Sequence, residues 1–149
     1  MNTYLKFMFA LLILLGSRPS YALDPIADLI ASCAGKVIAN GTLEYLANDD
    51  SSFMNDAFAF GRVAVQSQIQ RRNLDSQTAA AMEERLWTNY NALLETYTSG
   101  SWDASTYEDL LNCYRRLGNW HQIYNRDSNS GVWEMSAHRE AAELRSSIK

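Results

Sequence analysis

Apolar residues recur at intervals of three and four along most of this chain, and no stretch alternates apolar and polar positions for long. That periodicity belongs to helices with one buried face. The first such segment opens at Asp24-Pro25, a capping acid followed by proline at the first helical position. Ile26, Leu29, Ile30, Cys33 and Val37 then share a face. A straight continuation past Asn40-Gly41 would turn Glu44 onto that face. A kink near Gly41 is therefore expected, with helix resuming to about Ala47.

The second segment spans about 52–70, with Met54, Ala57, Phe58, Gly61, Ala64, Val65 and Ile69 as its stripe. Phe53, Phe60 and Val63 fall outside the stripe, which predicts a helix enclosed on more than one side. The third opens at Asp75 and carries Ala79, Met82, Leu86, Tyr90, Leu93 and Tyr97, closing at Gly100. The fourth reads as a capping box at Ser105-Thr106-Tyr107-Glu108, then Tyr107, Leu110, Leu111, Tyr114 and Leu117, with Gly118 as its C-cap.

Short loops between helices of this length predict antiparallel neighbours. The expected fold is all-α: a small up-down four-helix bundle, stapled by a disulfide. From Trp133 to Ser147 a marginal fifth helix is predicted, since Met135, Ala141, Ala142 and Leu144 are its only apolar content of note. It is expected to dock loosely or fray, because the four main stripes all end by Leu117.

The start of the chain follows a different pattern. Lys6 precedes an unbroken apolar run from Phe7 to Leu15, Gly16 and Pro19 break it, and Ser20-Tyr21-Ala22 places small residues around a cleavage site. This is the form of a secretory signal peptide. The expected organisation is a leader over 1–22, a helical bundle over 23–124, and a polar linker with a weak helix over 125–149. No second apolar run predicts stable membrane insertion after cleavage. Ile30-Ala31-Ser32-Cys33 has the form of a lipobox, but Arg18, Pro19, Asp24 and Pro25 separate it from the apolar run.

Composition narrows the partners. With 47% hydrophobic residues the chain can build a core, and its formal net charge is −4. The leader removes Lys6 and Arg18 but no acid, which leaves the exported chain more acidic still. Nucleic acid phosphates and anionic lipid are therefore poor partners. Cys33 and Cys113 lie on the first and fourth segments. An even pair in an exported chain predicts a structural disulfide, worth about 4–5 kcal/mol for so long a loop.

A search for chemistry returns little. Only His121 and His138 are available as histidine bases, and His138 follows Glu134 at a plain helical contact spacing. No calcium loop, phosphate-binding glycine loop, Cys-x-x-Cys or haem attachment sequence occurs. No cofactor or metal is expected, and no enzymatic constellation. What remains is a set of aromatic residues without an obvious core position: Trp102 before the fourth segment, and Trp120, His121, Tyr124 and Trp133 after it. Such residues favour binding surfaces. The expected function is that of a small exported, periplasmic or secreted, non-enzymatic module that binds another protein, of immunity, inhibitor or chaperone type. The alternative is a small-ligand carrier with a cavity between helices.

Overall fold

The computed structural model describes residues 21–124 and 129–148, with the side chains of 120–124 and 130 left out of the description. The expected leader thus lies almost wholly outside the described residues. Five helices follow in order: α1 Pro25–Asn48, α2 Ser51–Arg71, α3 Ser76–Thr98, α4 Ala104–Tyr124 and α5 Ser130–Ile148. No strand occurs among the described residues.

The helix starts are built as local sequence dictates. The Asp24 carboxylate accepts from the backbone N–H groups of Ile26 and Ala27 at 3.0 and 3.1 Å, with Pro25 behind it. Asp50 and Asp75 cap α2 and α3 in the same manner. Capping of α4 differs from the sequence expectation. Asp103, rather than Ser105, accepts from Thr106 at 2.8 Å, so the helix starts one residue after Asp103. An ionised cap beside the helix dipole outcompetes the serine hydroxyl. Gly118 does not close α4, which continues to Tyr124.

Helix α1 runs unbroken through Gly41. That glycine serves packing instead of a kink: a Cβ there would lie 2.6 Å from the Ala57 Cβ. Gly61 repeats the device from α2, where a Cβ would meet the Ala34 carbonyl and Ile38 at 3.0 Å. These contacts run in opposite directions along the two helices, so α1 and α2 form an antiparallel hairpin. Helix α3 lies parallel to α1, joined through Asp28–Arg85 and Ser32–Asn89. Helix α4 lies over the seam of the hairpin, reaching α1 through Cys113, Asp109 and Tyr114 and α2 through Tyr114 and Gly118.

Three helices thus surround α1, and Ala27, Ile30, Ala31, Ala34, Val37 and Ile38 are all buried. By length and composition α1 could cross a membrane, but most of its apolar stretch is buried inside the protein. It is the core helix of the bundle. The uninterrupted run expected of a span is missing because Asp28, Lys36 and Glu44 punctuate it.

The disulfide is present, with the Cys33 and Cys113 Cα atoms 4.9 Å apart and both residues buried. It joins the first and fourth helices as the bundle requires, and it leaves no free sulfur for a lipid on Cys33. Helix α5 docks; it does not fray. It runs antiparallel to α2 through Asn55–Arg145, Arg62–Glu140 and Gln70–Asn129. Ala137 and Ala141 are completely buried, and Trp133, Leu144 and Ile148 pack on the core. A seam of alanines brings two helices close without a conspicuous apolar stripe. For that reason the core reaches past Leu117.

Candidate functional site

Helix direction decides which surface residues share a neighbourhood. Helices α1, α3 and α5 end where α2 and α4 begin. That end of the bundle holds the α1–α2 loop, the α3–α4 loop and the close of α5. Trp102 lies there, half-buried, with its ring edge-on to Tyr97 at 6.1 Å. Trp120, His121 and Tyr124 occupy the far end of α4, a helix of 21 residues and so about 30 Å long. Their side chains lie outside the described residues. Trp133 sits in the first turn of α5, beyond that same far end, and packs partly against the core. The five aromatic and imidazole positions singled out by sequence therefore divide between two ends of the molecule, with Trp102 apart from the other four.

The end that holds Trp102 gathers exposed apolar residues, two of them at stripe positions of the sequence. Tyr97 and Tyr107 carry the stripe period, yet each is 53% exposed. Leu46 is 56% exposed and Phe53 36%. Each sits in a terminal turn of its helix. Around them lie Asp49, Asp50, Glu95, Asp103 and Glu108, and the stretches 44–56 and 94–109 contain no lysine, arginine or histidine. Arg145, from the close of α5, reaches in to bond Asn55. The result is an exposed aromatic and aliphatic surface within a field of carboxylates.

A second feature lies along the side of the bundle. Arg62, in the middle of α2, is 7% exposed and is held by two carboxylates. Its Nη1 donates to Glu83 of α3 at 2.5 Å, and its Nη2 pairs with Glu140 of α5 at 2.6 Å. The guanidinium lies over the Trp87 ring, 5.4 Å from its centroid, and the Trp87 indole N–H donates to Glu83 at 2.7 Å. One cation thus ties three helices together. Burial opposes the charge on Arg62, but the hydrogen bonds and charges of Glu83 and Glu140 outweigh it and raise its pKa. Burial likewise opposes ionisation of Glu83, and the Arg62 hydrogen bond and charge, with the Trp87 N–H, hold its pKa below the ordinary value. Glu83 is consequently a fixed anion at neutral pH and a poor proton donor.

Beside this node α2, α3 and α5 leave an open cleft of about 320 Å³, lined by Phe58, Trp87, Glu140, Glu143, Leu144 and Ser147. None of these residues stood out by motif. The available signal was Arg62 itself, a lone arginine between Phe58 and Val65 in an apolar helix, which requires buried counter-charges. Glu83 lies two turns into α3, which begins at Ser76.

Other chemistry is thin among the described residues. No group of three or more His, Cys, Asp or Glu side chains is placed to hold a metal ion. His138 keeps a buried Nε2 without a hydrogen-bond partner. The formal sequon at Asn40-Gly41-Thr42 is used structurally: Asn40 donates to the Tyr114 hydroxyl at 3.0 Å, and Thr42 is buried. No protein-family model, curated protein or solved structure matches the chain.

Proposed function

We propose that the protein is an exported, non-enzymatic module that binds another protein, and that the end bearing Leu46, Phe53, Tyr97, Trp102 and Tyr107 is its docking surface. The observation that carries the reading is the combination of exposed aromatic area with two surrounding stretches that lack any basic residue. Apolar anchors supply affinity, and the carboxylate field selects and steers a partner surface rich in lysine or arginine. The buried disulfide fits an oxidising compartment, which supports a periplasmic or secreted location.

The test is salt-dependent capture. The full exported chain should retain a partner from the exported protein fraction at low ionic strength and release it as salt rises. A variant with Leu46→Ser, Tyr97→Ser and Tyr107→Ser should retain at least tenfold less. All three residues are more than half exposed, so the substitutions leave the core intact. Equal retention by the variant would move the docking surface elsewhere.

A second reading rests on a separate observation. The cleft of about 320 Å³ lies between helices, at the small end of the roughly 300–1,000 Å³ typical of ligand pockets. It supports a role as carrier of a small ligand. A native mass spectrum with a copurified small molecule would favour that role over protein docking.

A further inference from the structure

The side cleft has an aromatic wall and an acidic rim. Half-buried Trp87 forms the wall, and Phe58, buried behind it, backs it with ring centroids 6.5 Å apart and tilted by 53°. Leu144 adds an aliphatic face, Ser147 a hydroxyl, and Glu140 and Glu143 two carboxylates; the lining holds no basic group. Glu140 is shared with Arg62, whereas Glu143 is exposed at the rim and has no ion pair among the described residues.

The molecule already shows what this combination holds. The Arg62 guanidinium lies over the Trp87 ring and against Glu140. Aromatic faces attract cations through the ring quadrupole, and a nearby carboxylate adds charge that water screens only in part. The cleft presents the same Trp87 and Glu140 together with Glu143, and so repeats that chemistry. Arg62 does not cancel it, because Glu83 already matches its charge and leaves Glu140 and Glu143 in excess.

We infer that the cleft binds a small organic cation, an ammonium or guanidinium group seated against Trp87 with Glu143 as counter-charge. The inference rests on the ligand-binding reading of the cleft and names the class of ligand. The group can come from a free small molecule or from a basic side chain presented by a partner.

The experiment follows the Trp87 indole N–H resonance of the full chain, identified by its absence in Trp87→Phe. Tetramethylammonium, tert-butyl alcohol, Gly-Arg-Gly and Gly-citrulline-Gly are titrated separately. Both cations should shift the resonance saturably, and neither neutral counterpart should. Glu143→Gln should weaken binding by about threefold, in keeping with an exposed charge pair. Ser147→Lys, which tethers an ammonium at the cleft, should abolish it with an unchanged helical spectrum, while Glu108→Gln should change nothing. Preference for tetramethylammonium points to a free ligand and preference for Gly-Arg-Gly to a partner's side chain; either upholds the cation site. Equal response to charged and neutral probes overturns it and leaves the carrier reading intact. No saturable response from any of the four overturns both.

Discussion

Gly35 of α1 lies directly against the backbone of Leu86 in α3. A Cβ on Gly35 would overlap the Leu86 carbonyl oxygen and come within 3.0 Å of the Tyr90 nitrogen. Backbone on both sides cannot rotate aside, so Gly35→Ala must push the two helices apart. The expected cost is about 2 kcal/mol or more, after allowance for the better helix propensity of alanine. Gly118 offers the contrast. It sits inside α4, and a Cβ there would find only Phe60 at 3.9 Å. Gly118→Ala should raise stability by roughly 0.5–1 kcal/mol. Denaturant midpoints for the two variants should move in opposite directions.

Gly41 and Gly118 show what a sequence reveals of this fold. Since one buried face is enough to set a period, apolar spacing located the helices to within a few residues, except the close of α4, which runs on to Tyr124. It misread Gly41 and Gly118 as breaks because a glycine's purpose depends on what lies opposite, and Gly41 faces Ala57. Tyr97 and Tyr107 carried the right period but sit in the terminal turns of their helices, where both are exposed. Ala137 and Ala141 reversed the error: small residues without a stripe turned out to be core. The Arg62 node was legible only as a question, because its answers, Glu83 and Glu140, come from helices separated from it by long stretches of chain.

The disulfide should act chiefly on the unfolded chain. Cys33 and Cys113 close a loop across 80 residues, worth about 4–5 kcal/mol in the chain-entropy account. Cys33→Ala with Cys113→Ala should lower the unfolding free energy by that order, and with it the denaturation midpoint, while the helical circular dichroism spectrum persists. The intact mass of the exported protein should match residues 23–149 less two hydrogens. A variant of unchanged midpoint would show that the bridge adds nothing to stability.

Acid should loosen the Arg62 node. The folded pKa of Glu83 lies below its ordinary value of 4.5. Its contribution is therefore complete above pH 4.5 and is lost as pH falls through the lowered pKa. Arg62→Met removes the cause, and burial alone would then push Glu83 upward. Wild-type stability should fall more steeply than that of Arg62→Met on acidification below pH 4.5. The capping acids Asp24, Asp75 and Asp103, whose pKa values are also lowered, titrate in both proteins and cancel in the comparison. Parallel curves for the two proteins would mean that the ion pairs contribute nothing to the fold.

The standing of α5 is open to a direct cut. If the core closed at Leu117, a chain ending at Tyr124 would keep its full stability. The structure instead packs Trp133, Leu144 and Ile148 on the core and buries Ala137 and Ala141 completely. A fully buried large apolar side chain contributes roughly 1.5–3 kcal/mol, and these three are partly buried. Removal of α5 also takes Glu140 from Arg62 and opens that guanidinium to water. The truncated chain should therefore unfold at least about 3 kcal/mol more easily than the full one. Hydrating the freed guanidinium recovers part of the lost pairing, so the loss should stop short of unfolding a bundle whose α1 is still enclosed by three helices. Amide exchange would separate the outcomes. Faster exchange confined to α2 and α3 around Phe58, Arg62 and Trp87 marks α5 as a cover on an otherwise intact bundle. Uniform acceleration through α1 would instead make α5 part of one cooperative core.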